Sequence, residues 1–286
     1  MPVLMDYSQV ILATLFVSIG NHTNVEISED LVRHMFLTSL RSNRKKFVDE
    51  YGEMVICCDG KNSWRREAFS YYKASRRKNR EKSELDWNEL FRIIGKIREE
   101  LDEYFPYKVI HIDRCEADDI IGTICHEYGT DLNMGSEKFL VLSGDKDYIQ
   151  LLKYANVEQY DPVRKKFIRH ANPDDYLMEH ILRGDTGDGV PNVLSADNSI
   201  AIGERQKPMT SKRLKAFKES LDSMDETTRI RYFRNKTVID LTETPEKYKE
   251  QILEEFRKEK NIGRSKLFNF FMEKRLKNLM ADIQDF

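Results

Sequence analysis

The acidic residues of this chain fall where they could hold metal ions. Asp6 and Asp59 each follow a short apolar run. Glu116, Asp118 and Asp119 crowd the stretch Cys115-Glu116-Ala117-Asp118-Asp119, and Asp145 and Asp147 flank a lysine in Ser143-Gly144-Asp145-Lys146-Asp147-Tyr148. Asp185 and Asp188 punctuate Gly184-Asp185-Thr186-Gly187-Asp188-Gly189-Val190-Pro191. Carboxylates are hard oxygen donors that suit Mg²⁺ or Mn²⁺. Gathered at one point, they would repel one another and raise each other's proton affinity unless a cation intervened. Two such cations, about 3.5–4 Å apart, can activate an attacking water and neutralise the leaving oxygen of a phosphodiester. Each motif has a plainer reading when taken alone. Glu116, Asp118 and Asp119 suit the first turn of a helix, where negative charge is stabilised. The Asp145/Asp147 and Asp185/Asp188 stretches suit simple turns.

Basic residues cluster nearby. Residues 61–82 carry nine Lys or Arg against two Glu, 204–218 carry six basic residues against one acidic, and 257–277 carry eight against two. The net charge of −2 gives no overall pull on a polyanion, so local surfaces must do any phosphate binding. Solvated helix faces are the alternative. Lys73 and Arg76 are three apart and share a cleft-facing side if their segment is helical; they would then neutralise charge developing on phosphate oxygens. Tyr72 beside Lys73 permits base stacking next to a phosphate contact. Core packing of Tyr71 and Tyr72 is the competing reading.

The elements that must position these groups are legible as patterns. Residues 2–5 predict a strand ending at Asp6, 54–58 a strand ending at Asp59, 107–112 a third and 139–142 a fourth, with a short extra strand from Gln159-Tyr160. Between them, 9–19, 30–48, 87–104 and 115–128 read as helices, Gly129 supplying a stop for the last. From about 174 the pattern is helical, and 184–212 is the most irregular stretch. Leu267, Phe268, Phe270, Phe271, Leu276 and Leu279 read as an amphipathic helix packing into a core. Continuous apolar strands alternating with helices predict an α/β fold, a mostly parallel central sheet covered on both faces. Such sheets place their sites beyond the carboxyl ends of the strands, where Asp6, Asp59 and Asp145 fall.

With 286 residues, 40% of them apolar, a sizeable core can form in one large domain or two intimate ones. Cys57, Cys58, Cys115 and Cys125 show no closed zinc-ligand spacing and fit a reducing cytoplasm. Asp6 interrupts the first apolar run, so no signal peptide is expected, and Val10–Ile19 is too short to span a bilayer.

These motifs, in this order, resemble the structure-specific 5′ nucleases: flap endonucleases, the 5′-nuclease domain of bacterial DNA polymerase I, and most closely the T-even phage ribonuclease H branch. Leu4-Met5-Asp6-Tyr7-Ser8-Gln9 resembles the family's first metal-binding strand, and Trp64 to Arg76 the start of its helical arch. The two central acidic motifs match, and 184–191 resembles the start of a helix–hairpin–helix-like DNA-binding element. The Gly-Val-Pro-Gly hairpin of polymerase-linked relatives is replaced here by Gly189-Val190-Pro191-Asn192.

The resemblance implies a PIN-like nuclease domain over 1–180, with an arch region at 61–86, and a helical DNA-binding region over 181–286. It implies two Mg²⁺ ions, with Mn²⁺ able to substitute. Asp6, Asp59, Glu116 and Asp118 would surround the first, and Asp119, Asp145, Asp147 and Asp185 the second, with Asp188 as an outer partner. Asp6, Asp59, Asp145, Lys73 and Arg76 would carry the chemistry, Lys73 and Arg76 touching the scissile phosphate. Arg65, Arg66, Tyr72, Lys73, Arg76, Arg77, Lys207, Lys212, Arg213 and Lys215 would meet nucleic acid. The implied activity is 5′-to-3′ exonuclease and flap cleavage of RNA/DNA hybrid and duplex DNA, giving 5′-phosphates. RNA primer removal by a monomer in the cytoplasm of a phage-infected bacterium follows, with single-strand binding protein as a possible partner. Two other functions compete: a single-strand ribonuclease of related fold, and a non-catalytic DNA-junction binder. A haloacid-type phosphatase is disfavoured because position 8 is Ser8, where that chemistry wants a second Asp.

Overall fold

The computed structural model of the chain describes residues 2–20, 27–83, 85–130, 137–260 and 265–286. Its strands are β1 (Val3–Asp6), β2 (Met54–Cys58), β3 (Lys108–His111), β4 (Phe139–Leu142), β5 (Val157–Asp161) and β6 (Lys166–Ile168). They form one sheet in the order β3-β2-β1-β4-β5-β6. Every pairing is parallel except β5 with β6. Side chains alternate across this sheet as the two-residue period requires. Val3, Met5, Ile56, Leu140 and Leu142 pack on one face; Leu4, Val55, Cys57, Phe139 and Val141 pack on the other. Both faces are apolar because both are covered.

Helices α1 (Tyr7–Ile19), α2 (Glu29–Tyr51), α3 (Arg65–Ala68), α4 (Ala74–Glu81), α5 (Trp87–Tyr104) and α6 (Ala117–Tyr128) connect the strands up to β4. A 3₁₀ helix, Asp147–Lys153, leads from β4 towards β5. The remaining helices are α7 (Pro173–Arg183), α8 (Ser199–Ile202), α9 (Ser211–Glu219), α10 (Glu226–Ile239), α11 (Glu246–Arg257), α12 (Ser265–Glu273) and α13 (Lys277–Met280). The first face is covered by α1, α2 and α5 together with Leu267, Phe270 and Phe271 of α12 and the terminal Phe286. The second is covered by α6 and α11. The expected division after residue 180 falls inside α7, and α11 packs against α6 and β3. The C-terminal tail is core packing, as its spacing predicts, with Phe268 turned outward.

The strand order reverses at β1: β2 lies to one side and β4 to the other. A crevice therefore opens beyond the carboxyl ends of β1 and β4. Asp6 ends β1, and Asp145 follows β4 by three residues. Gly129, expected as a helix stop, has extended backbone, and α6 ends as the chain turns away.

Candidate metal centre and nucleic-acid interface

The hydroxyl of Tyr148 fixes the centre of the acidic cluster. It lies 2.8 Å from Asp118 Oδ1 and 3.2 Å from Asp6 Oδ2, so carboxylates from β1 and α6 meet at one atom. Ser143 Oγ also donates to Asp6 Oδ2 at 3.2 Å and accepts from the Asp145 amide at 3.1 Å, tying the β4 turn to the same point. Asp59 is held from the other side, its Oδ1 accepting the Ala117 amide at 2.8 Å at the start of α6. The loop carrying Asp59 is pressed against the α6 entrance. Gly60 N donates to Cys115 O at 2.7 Å, and a Cβ at Gly60 would lie 2.1 Å from Ile112 O. Only glycine fits that approach.

A second group lies across the crevice. Asp147, His180 and Asp185 each offer a ligand atom within 4.8 Å of the others. They line an open pocket of about 540 Å³ with Asp145, Gly144 and Gln9. Gly184, at φ +69°, ends α7 and returns the chain so that Asp185 sits near the His180 ring. A Cβ there would lie 2.3 Å from Val190 O.

Basic side chains lie against Glu116 and against the 187–188 loop that borders the pocket. Lys73 pairs with Glu116 and lies 3.6 Å from Asp188 Oδ2; Arg76 pairs with Asp188. Lys73 precedes α4 with φ +56°, so the two cations converge through a left-handed turn rather than through one helix face. Lys73 N donates to Asp188 O at 2.7 Å. Gly189, at φ +75°, runs so close that a Cβ would meet Tyr71 O at 3.1 Å. The arch base and the 185–189 loop are thus one docked unit.

Electrostatics follow this packing. Burial, then the neighbouring Asp59 carboxylate, pushes Asp6 up to about 7. Burial and Asp145 push Asp118 and Asp147 well above the usual carboxylate range. Burial works against ionised Glu116 too, but Lys73 and Arg65 outweigh it and hold Glu116 at about 2. The cluster is therefore short of positive charge at Asp6, Asp118 and Asp147, and compensated at Glu116.

Three expected roles change. Asp119 is 0% exposed and accepts from Trp64 Nε1, Arg65 Nη1, Thr244 Oγ1 and the Glu116 amide at 2.8–3.1 Å. These donors fill its lone-pair directions and leave none for a cation. Arg65 is 1% exposed, held by Val238 O, Glu116 and Asp119, and cannot reach a phosphate. Tyr72 is 2% exposed, and its hydroxyl donates to Glu116 Oε2 at 2.7 Å and Asp188 Oδ2 at 2.9 Å. Buried in this way, it cannot stack on a base; Tyr71, its neighbour, is the exposed ring.

Of the other candidates for nucleic-acid contact, Arg66, Arg76, Lys207, Lys212, Arg213 and Lys215 are exposed, and Lys73 is partly buried. Arg66 lies on the surface of α3. Lys207, Lys212 and Arg213 line an open groove of about 1320 Å³ together with Arg231. Lys215 is exposed on α9, 3.8 Å from Glu219. The Arg77 side chain lies outside the described residues. Sequence reasoning missed Tyr148 and His180. Tyr148 directly follows Asp147, and His180 falls five residues before Asp185, but a lone tyrosine or histidine on an apolar helix reads as core.

A divalent cation suits this donor set. The carboxylates come from separate elements, three of them hold protons beyond their ordinary range, and His180 Nδ1 is buried without a hydrogen-bond partner. Comparison with known proteins points the same way. Residues 4–179 match the family of the 5′-3′ exonuclease N-terminal resolvase-like domain, and 172–286 match that of the T4 RNase H C-terminal domain. The chain is 32% identical to ribonuclease H of Enterobacteria phage T4, over 99% of this chain and 95% of that protein. It is 30% identical to DNA polymerase I of Bacillus subtilis over 61% of this chain, but spans only 19% of that enzyme. The fold is that of the T5 5′-exonuclease, with TM-score 0.56, 14% identity, and 99% and 98% of the two chains covered. It is also that of the phage T5 flap endonuclease in a pseudo-enzyme–product complex with DNA and metal ions, with TM-score 0.57, 15% identity, and 99% and 98% covered. Among the described residues, no helix is long and apolar enough to cross a membrane. The chain therefore belongs to the 5′ nuclease/flap-endonuclease superfamily that includes phage T4 ribonuclease H, and it is a divalent-metal-dependent nuclease acting on nucleic-acid ends.

Proposed function

We propose that the protein is a two-ion, Mg²⁺-dependent 5′-to-3′ exonuclease and flap endonuclease that removes RNA primers and adjoining DNA during phage replication, with Mn²⁺ able to substitute. The observation that carries this reading is the convergence of Asp6 and Asp118 on Tyr148, next to a pocket lined by Asp145, Asp147 and Asp185, with Lys73 and Arg76 paired to the adjoining Glu116 and Asp188. Bound divalent ions supply an acidified water and neutralise the leaving oxygen. Unlike the split the resemblance implies, Asp145 would join Asp6, Asp59 and Asp118 at one ion, because it crowds Asp6 and Asp118. Glu116, paired with Lys73, would stand with Asp188 at greater remove from the other ion, held by Asp147 and Asp185.

Lys73 and Arg76 would flank a scissile phosphate resting against the acidic cluster. Both are paired with carboxylates in the free protein, so an incoming phosphate and its cations exchange partners with Glu116 and Asp188 rather than meeting bare charge. Their positive charge then stabilises phosphate oxygens as charge develops. The groove of Lys207, Lys212 and Arg213 is suited to duplex backbone beyond the cut, a contact that positions without reading sequence. The likeness to ribonuclease H of phage T4 supports a hybrid substrate and an infected bacterial cytoplasm; a monomeric enzyme and a replication partner such as single-strand binding protein belong to the same proposal.

A panel of 5′-labelled nicked, flapped and RNA/DNA hybrid substrates, with Mg²⁺, with Mn²⁺ and with chelator, tests this. Products bearing 5′-phosphates, released from free 5′ ends only when metal is present, are expected. Cleavage of floppy single-stranded RNA in preference to flaps would overturn the reading.

A further inference from the structure

His180 stands where an oxygen-only site would not need it. We propose that His180 Nδ1 is a nitrogen ligand to the ion at Asp147, so that this position favours Mn²⁺ and other transition ions over Mg²⁺. The proposal rests on the metal-dependent reading of the pocket and adds to it the identity of one donor and the selectivity that donor confers.

The geometry is specific about the ring. Nδ1 is 3.6 Å from Asp147 Oδ1, and Nε2 is 3.5 Å from Asp185 Oδ2. The Nδ1–Asp147 separation is too long for a hydrogen bond. It approaches the spacing of two ligands of one cation, since donors at about 2.1 Å from an ion lie about 3 Å apart at octahedral angles and about 3.4 Å apart at tetrahedral ones. The Nε2–Asp185 contact, on the other side of the ring, is a long donor contact to a carboxylate. Nδ1 is buried and has no hydrogen-bond partner, unusual for a ring nitrogen whose neighbours are carboxylates. The Tyr176 ring packs at a steep angle to the imidazole at 5.9 Å, limiting its rotation.

The two ring nitrogens then take different roles. Nε2–H points at Asp185, and the Nδ1 lone pair points at the space beside Asp147. A ligating histidine commonly donates its second N–H to a carboxylate, which sets the tautomer and raises the basicity of the ligating nitrogen. The turn at Gly184 enforces this arrangement by bringing Asp185 back towards the ring of the helix it has just left. Imidazole adds little for Mg²⁺, which prefers oxygen, and adds more along the first transition series, in which Mn²⁺ is the weakest binder.

The test uses the full chain loaded with Mn²⁺ and, separately, Mg²⁺. Pulsed EPR of the Mn²⁺ form reads ¹⁴N coupling directly, and calorimetry reads both affinities. In wild type we expect an imidazole ¹⁴N coupling; in His180→Gln we expect that coupling lost, with Mn²⁺ affinity down at least about 10-fold and Mg²⁺ affinity within about threefold. His180→Asn, with thermal unfolding of each metal-free variant, separates ligand loss from misfolding. Mn²⁺ bound by wild type without ¹⁴N coupling, or equal losses for the two ions, overturns the proposal while flap cleavage in Mg²⁺ leaves the nuclease reading intact. Wild type that takes up neither ion and cuts nothing sinks both.

Discussion

Arg65 and Asp119 meet in a buried ion pair, Nη1 to Oδ2 at 2.9 Å, with 2% and 0% of their side chains exposed. The pair joins the arch base to the first turn of α6, and Arg65 Nε reaches on to Val238 O in α10 at 3.0 Å. Asp119 in turn forms a reciprocal cap with Glu116. Three elements around the acidic cluster are therefore pinned by one guanidinium.

Arg65→Ala removes the cation and leaves buried Asp119 without one, while Glu116 keeps Lys73. Breaking such a pair costs about 3–5 kcal/mol. We expect a denaturant midpoint lowered accordingly, and a salt dependence of flap binding unchanged from wild type. A slope reduced by about one, with stability intact, would instead make Arg65 a phosphate contact.

Asp145→Asn keeps shape and removes one charge from the pocket beside Asp6, Asp118 and Asp147. Cleavage in Mg²⁺ should slow at least about 100-fold. Flap affinity, which depends on basic surfaces elsewhere, should stay within about threefold. Single-turnover rates together with a binding titration decide this, and wild-type-like turnover would remove Asp145 from the metal set.

The limits of the sequence reading lie with these same residues. The bounds of β2, α5 and β4 coincide with the apolar runs at 54–58, 87–104 and 139–142, because local pattern alone sets those elements. The carboxylates could be located because strand ends in an open parallel sheet are fixed positions. Arg65 and Tyr72 could not be placed. Both look like surface groups in a basic, aromatic stretch, and what buries them is Val238, 173 residues away, and Asp188, 116 residues away. His180 was hidden for the same reason, since only the fold of the Gly184 turn and the 3₁₀ helix brings Asp185 and Asp147 to its ring. The three-residue spacing of Lys73 and Arg76 suggested a shared helix face, but Lys73 takes a left-handed conformation instead.

Lys73→Ala probes that turn. The ammonium pairs with Glu116 and lies 3.6 Å from Asp188, at the place assigned to a phosphate. Removing it should slow the chemical step about 100-fold, the scale set by loss of one charge-stabilising donor. Flap affinity should fall far less, because the duplex groove is untouched. Equal losses in single-turnover rate and affinity would make Lys73 a binding contact only.

The metal-free protein should lose stability as pH rises. Asp6 titrates near 7 in the folded chain and near 3.8 when unfolded, and Asp118 and Asp147 are raised in the same direction. Between those values the folded state binds more protons, so the unfolding free energy falls with rising pH, by about 1.4 kcal/mol for each unit that a pKa is raised. Glu116, lowered from 4.5 to about 2, acts oppositely: its contribution is complete above 4.5 and is lost only as pH falls towards 2. Asp185, also lowered, shares that sign. The decline between about pH 5 and 7 therefore belongs to the crowded carboxylates. Saturating Mg²⁺ should offset it, and increasingly so at higher pH, because the ion binds the deprotonated cluster and only in the folded state. Melting temperatures across this range, with chelator and with Mg²⁺, should diverge as pH rises. Parallel curves would mean that Asp6, Asp118 and Asp147 do not give up their protons to bound ions.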